Sequence, residues 1–337
     1  MVTAPPLRIV FFGTPEFAVP SLEAVIQSRH ELVAVVSQPD RPKGRGQQVQ
    51  VTPTRAVAVS HGIPVLQPAK IRDEAFLQQI RDLAPDLGIV VAFGRLLPDA
   101  LLAIPRLGMI NVHASVLPRY RGAAPIQRAV LAGDAETGVT IMRVITEMDA
   151  GPTFAVGTVP IPDDATSADM AATLSHLGAR LLLPVVEDLA AGRAVETPQD
   201  DARATHAAKI SKAESAIDWN EPAAVVHNKV RGLQPWPLAS TRLAGERLVL
   251  RRTSPTGGPT GGVRSVSAGA TGDTGVRSAF AAPADPAGAR ATRTNADLTP
   301  SVPRTNADLT PGTAGTPGRV LRAEGDELIV ACGAGTA

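Results

Sequence analysis

The chain has 337 residues, 44% of them hydrophobic, which exceeds what one average domain needs and is ample for a buried core, so two globular domains are expected. A formal net charge of +1 neither demands nor excludes nucleic acid, so any phosphate-binding surface has to be local. Cys332 is the only cysteine, which rules out an intrachain disulfide framework or a cysteine-based zinc site and fits the reducing cytoplasm. MVTAPPLRIV lacks the pattern of a secretion signal and no stretch reaches the roughly 20 apolar residues that cross a bilayer, so neither export nor a membrane partner is expected.

Leu7 to Gly13 is a short apolar run of β-formers closed by a glycine and followed by a helical pattern from Glu16 to Gln27. The rhythm repeats, with strands over 32 to 37, 64 to 67, 87 to 93 and 108 to 113 and helices over 53 to 60, 73 to 82 and 97 to 104. Such alternation predicts an α/β fold with a doubly wound, mainly parallel sheet, and the wholly apolar Ile89 to Phe93 suits a strand covered by helices on both faces. Ligands then belong at the C-terminal ends of the strands. Between Val139 and Ile161, VTIMRVI and TFAVGTVPI flank TEMDAGP, whose Asp-Ala-Gly-Pro reads as a turn between two strands. A helix is expected over 167 to 190, a polar linker over 192 to 210, and a small β domain beyond it. Residues 255 to 317 break the pattern: Gly, Pro, Ala, Thr and Ser dominate, Phe280 is the only aromatic, and RTNADLTP occurs twice, from Arg293 and from Arg304. This insertion is expected to be disordered. Strand character returns in GRVLRAEGDELIVACG, where Gly325-Asp326 would close a hairpin.

Chemistry-bearing residues cluster at two places. Asn111 and His113, in MINVHASVLP, sit two apart at the end of a strand, so an amide donor and an imidazole share one face. An arbitrary Asn-x-His is more often a turn former beside a structural histidine, and Asp149 in EMDAGP by itself suits a turn aspartate. Together they supply what acyl transfer to an amine requires: a base that titrates near neutrality, a carboxylate to orient it and stabilise its protonated form, and an amide for an oxyanion. Dinucleotide and P-loop readings lose support, because GTPEF after the first strand is not G-x-G-x-x-G and no Walker pattern occurs. QPDRPKGRGQ puts Arg41, Lys43 and Arg45 on one Pro/Gly-rich loop able to follow a phosphate backbone, or simply to be solvated. Arg119 and Arg121 suit either an anionic ligand or surface acids. Trp236, stiffened by flanking prolines, suits core or interface packing more than stacking on a base.

RIVFFGTPEFAVPSLEAV, INVHASVLPRYRGAAPIQRAVLAGDAETGVTIM, MDAGP, KISKAESAIDWN and RGLQPWPLA, in order between about residues 7 and 253, resemble the methionyl-tRNA formyltransferases. The resemblance implies a Rossmann-like formyltransferase domain over 1 to 191, a linker over 192 to 210 and an OB-type β-barrel over 211 to 337 that helps hold tRNA. It makes Asn111, His113 and Asp149 catalytic, places Ser115, Val116, Leu117 and Pro118 against the tetrahydrofolate donor, and brings Arg41, Lys43 and Arg45 to the tRNA acceptor stem. The implied reaction moves the formyl group of 10-formyltetrahydrofolate onto methionyl-initiator tRNA, without a metal, in a monomer. Members of that family continue past the strand that matches VACG, and stopping here would leave an open sheet edge. The competing enzyme reading, formylation of a small amine, should lack the basic loop and the second β domain.

Overall fold

A computed structural model describes residues 4–43, 48–243, 245–256, 262–270, 320–324 and 327–333. The chain divides into two compact units, one of Met1–Arg128, Ala135–Ile161 and Asp169–Lys209, the other of Ala129–Asp134, Pro162–Ala168 and Ile210–Ala337.

In chain order the first part forms β1 (Arg8–Gly13), α1 (Val19–Gln27), β2 (Glu31–Val36), β3 (Arg41–Lys43), β4 (Gln48–Gln50), α2 (Pro53–Ser60) and β5 (Val65–Leu66). There follow α3 (Glu74–Asp82), β6 (Leu87–Val91), α4 (Asp99–Leu102), β7 (Met109–His113), β8 (Arg121–Gly122), α5 (Pro125–Ala132), β9 (Glu136–Arg143), β10 (Thr153–Pro160), α6 (Ser167–Ala190) and β11 (His206–Ala207). Seven strands make one sheet in the order β10-β9-β7-β6-β1-β2-β5. β1 runs parallel to β2 and β6, β2 to β5, and β6 to β7, as the alternation of elements predicts. β9 is antiparallel to β7, and β10 is antiparallel to β9 because the loop joining those two is too short for the crossover that a parallel pair needs.

All five residues of β6 are buried, and α3 turns Phe76, Leu77 and Ile80 inward at helical spacing. Phe12 and Phe93 meet edge to face with ring centroids 5.6 Å apart, at the centre of a core that also takes in Val10, Val36 and Leu101. From β1 the chain first builds outward through β2 to β5, then returns to build the other side through β6 and β7. Such a reversal opens a crevice beyond the strands' C-terminal ends. No helix among the described residues is long and apolar enough to cross a membrane.

The second unit contains α7 (Ala223–Gly232) and a five-stranded antiparallel sheet: β12 (Ala239–Leu243), β13 (Glu246–Thr256), β14 (Gly262–Ala270), β15 (Val320–Glu324) and β16 (Glu327–Ala331), in the order β12-β13-β14-β16-β15. β14 corrects part of the expectation of disorder over 255 to 317. It pairs with β13 from Leu248↔Ala270 to Thr256↔Gly262 and with β16 along its other edge. Composition alone missed it because Val263 and Val266 are its only β-branched residues, and the ladder on both sides supplies what the side chains do not. Residues 257–261 and 271–317 of that stretch, with both RTNADLTP copies, lie outside the described residues, as does Gly325-Asp326.

Candidate active site

β7 carries Asn111 and His113 on one face and pairs Asn111 with Val90 of β6 and Met142 of β9, beside the crevice. The His113 ring is buried, its side chain 6% exposed. Its Nε2 lies 3.0 Å from the Tyr120 carbonyl oxygen. A carbonyl only accepts, so this nitrogen carries the hydrogen, and the neutral ring keeps its lone pair on Nδ1. Nδ1 is 3.6 Å from Asp149 Oδ2, beyond a hydrogen bond but close enough for an ion pair once Nδ1 is protonated. The Tyr120 carbonyl thus holds one side of the ring, and Asp149 lies within ion-pair distance of the other. Among the described residues the Asn111 amide has no hydrogen-bond partner, which leaves its N–H groups available at the rim.

Asp149 occupies the loop between β9 and β10 with φ 53°, a left-handed conformation that aspartate tolerates better than most residues. Its Oδ2 accepts the Gly122 N–H at 2.8 Å. Two residues on, a Cβ at Gly151 would stand 2.0 Å from the Arg143 carbonyl oxygen, so only glycine lets the loop close against the end of β9. From far along the chain, Gln199 Nε2 donates to the carbonyls of Asp149 and Gly151 at 2.8 and 2.7 Å. Nothing in the sequence singles out Gln199, because a bond across 50 positions leaves no periodic trace.

The stretch from Ser115 to Pro118 lies immediately after β7. Ser115 is fully buried and its hydroxyl donates to the Arg119 carbonyl at 2.6 Å, so its side chain serves the loop itself. Thr140 donates to the Ser115 carbonyl and accepts the Leu117 N–H at 2.7 and 3.1 Å, fixing the turn from beneath. Leu117 is buried, while Val116 and Pro118 are half-buried and offer surface to a ligand. The loop before Asp149 exposes Ile145 and Met148, and Thr146 ties that loop to Asp99 at 2.6 Å, a few residues beyond the exposed Leu96.

Arg121 is engaged by Asp201 at 2.6 Å and by Gln199, while Arg119 lies over the Tyr120 ring, 4.9 Å from its centroid. Arg41 is exposed on β3, which pairs with β4 as a two-stranded ribbon through Arg41↔Gln50 and Lys43↔Gln48. Arg45 lies outside the described residues. In the second unit Trp236 is 56% exposed, so of core and interface packing the first is not the role it has. Two prolines beside a tryptophan say that the backbone is stiff, not which way the ring faces.

Residues 7–186 match the family model for formyl transferases, and residues 209–275 match the model for the formyl transferase C-terminal domain. Methionyl-tRNA formyltransferase of Moorella thermoacetica is 48% identical over 242 residues, 72% of this chain and 78% of that protein. The enzyme of the same name from Pelobacter propionicus is 49% identical over 245 residues, 73% and 77%. Among solved structures, an N-formyltransferase of Helicobacter canadensis in complex with folinic acid and dTDP-3-aminofucose superposes with a TM-score of 0.59 at 17% identity, covering 74% of this chain and 88% of that one. HypX of Aquifex aeolicus in complex with tetrahydrofolic acid gives 0.56 at 20% identity, covering 75% and 38%.

Proposed function

Because this chain belongs to the methionyl-tRNA formyltransferases, we propose that Asn111, His113 and Asp149 move the formyl group of 10-formyltetrahydrofolate directly onto the α-amino group of methionyl-initiator tRNA. The neutral amine attacks the formyl carbon, and the carbonyl oxygen becomes an oxyanion that the unengaged Asn111 amide can meet. The amine proton passes to His113 Nδ1, where Asp149 Oδ2, 3.6 Å away, stabilises the imidazolium. That proton then goes to N10 of the donor as the carbon–nitrogen bond breaks, leaving tetrahydrofolate and a formylated amine. Holding amine and formyl carbon together contributes as much as the proton transfer, since the step becomes effectively unimolecular.

The convergence at the crevice of His113, Asp149 and an Asn111 without a partner among the described residues carries this reading. The half-buried Val116 and Pro118 provide apolar surface suited to the donor's ring system. Arg41, Lys43 and Arg45 are assigned to the acceptor stem of tRNA. The unit after the linker, from 211 on, is assigned to tRNA as well, as an OB-type barrel. Its five strands, with the fifth inserted between the third and the fourth, fit a partly open Greek-key barrel. Arg242, Arg247, Arg251 and Arg252 are exposed there without an acidic partner among the described residues, as a polyanion would require.

Purified protein with 10-formyltetrahydrofolate should formylate charged initiator methionyl-tRNA and leave free methionine and an amino sugar nucleotide untouched. His113→Ala should lower the rate about 100-fold or more while donor binding persists. Equal transfer to the free amino acid, or full activity in the variant, would sink the reading.

A further inference from the structure

Residues 196–207, within the stretch whose composition reads as a linker, run along the first unit's site. Thr197 exchanges backbone hydrogen bonds with Thr153 at 2.8 and 2.9 Å, at the exit of the Asp149 loop, and Glu196 pairs with Arg143 at its entrance. Further on, Thr205 Oγ1 accepts the Tyr120 N–H at 2.9 Å, and β11 pairs in parallel with β8. The residues so braced are the ones that hold the two proposed catalytic side chains: Tyr120 gives its carbonyl to His113, and Gly122 gives its N–H to Asp149.

Gln199 is the centre of this strap. It is the only residue between Val195 and Arg203 that is not exposed. Both of its N–H bonds are spent on the carbonyls of Asp149 and Gly151, and its Oε1 takes two hydrogen bonds from Arg121, at 3.1 and 2.9 Å. A guanidinium only donates and a carbonyl only accepts, so the amide can face only one way round, and all four of its hydrogen bonds are made. The carbonyl of Asp149, itself in left-handed backbone, and that of Gly151 are thereby pinned from outside their own hairpin. No other side chain reproduces this: glutamate has no donor for the carbonyls, methionine has the shape without the bonds, and asparagine is a methylene short.

We propose that Gln199, locked by Arg121, is a positioning residue that holds Asp149 opposite His113 during formyl transfer, and that the strap over 196 to 207 is part of the catalytic framework. The proposal rests on the assignment of Asp149 to the chemistry, and its test separates the two. In the full chain, Gln199→Met should raise amide exchange at Gly122 by about tenfold or more while amides of the β1 and β6 ladder stay as protected as before. Formylation kcat should fall about tenfold with KM for tRNA and donor within about twofold, and the same substitution added to Asp149→Asn should lower kcat less than about twofold further. Unchanged Gly122 exchange, or an equal loss of kcat with and without Asp149→Asn, overturns the proposal. Exchange needs no turnover, so a wild type that transfers no formyl group counts against the proposed function, and Gly122 still decides the role of Gln199.

Discussion

His113 has one nitrogen committed to a backbone carbonyl, and the residue that presents that carbonyl, Tyr120, is itself in left-handed backbone with φ 61°. Asp149, facing the other nitrogen, has φ 53°. Non-glycine residues in that region cost on the order of 1–3 kcal/mol each, so the fold has concentrated local strain around a single imidazole. The strain sets where the carbonyl and the carboxylate point. Asp149→Asn keeps an oxygen for the Gly122 N–H and a side chain at ease in left-handed backbone, so the urea midpoint should barely move. The same variant removes the charge proposed to meet the imidazolium, and on that proposal kcat should fall about 100-fold or more. A variant that keeps a tenth of wild-type kcat would show that the carboxylate's charge is dispensable.

The β9–β10 hairpin shows how an element, rather than one residue, sets the site. Its loop returns so tightly that Gly151 lies against the Arg143 carbonyl, and the Arg143 N–H bonds the Pro152 carbonyl at 2.8 Å. An alanine there has nowhere to put its methyl without moving backbone, and Asp149 would move with it. Gly192, just past α6, offers the contrast: φ is 64°, but a Cβ would meet nothing within 4 Å. Gly151→Ala should cost roughly 1–3 kcal/mol of stability and also depress kcat, whereas Gly192→Ala should cost about 1 kcal/mol through backbone strain alone and leave kcat intact. Denaturation and steady-state kinetics on the pair distinguish the two, and equal kcat in both variants would refute the account of the hairpin.

Across the molecule, stability should fall as pH is lowered, in an order set by buried groups. Burial pushes the His30 imidazole below its ordinary value, against the pull of Glu187, whose Oε1 lies 3.2 Å from Nε2. Its Nδ1 accepts the Leu7 N–H at 3.0 Å, a bond that needs the lone pair. The folded state therefore takes up this proton later than the unfolded chain, so the stabilisation is present above about pH 6.5 and is lost as pH falls from there. At Asp40, burial works the other way, but the Gln67 amide, the Thr52 N–H and Arg55 hold the carboxyl below its usual range. At Asp86, burial is likewise outweighed by the Arg8 N–H and Arg106. Both are depressed acids, so their contribution is present above about pH 4 and lost as pH falls through their folded values. Urea midpoints should decline first as pH falls below about 6.5 and again below about 4, and His30→Gln should flatten the first decline. An identical slope in that variant would remove His30 from the explanation.

The sequence by itself determined the local elements and which side chains they carry as candidates for chemistry. The spans of β1, β2, β6, β7, α2 and α6 follow from apolar runs and periodicity, and the alternation of strand and helix is enough for a mainly parallel sheet. Asn111, His113 and Asp149 stand out in the sequence as candidates because spacing on a strand, a turn motif and long matching strings agree on them. Tertiary structure alone decided which atoms meet: that Tyr120 holds the imidazole, that Gln199 and Arg121 clamp the Asp149 loop, that a glycine- and alanine-rich run pairs as β14, and that Trp236 faces outward. Periodicity records what each residue does relative to its own element, whereas these contacts join backbone and side-chain groups from segments distant in the chain. They exist only once the sheet has brought those segments together.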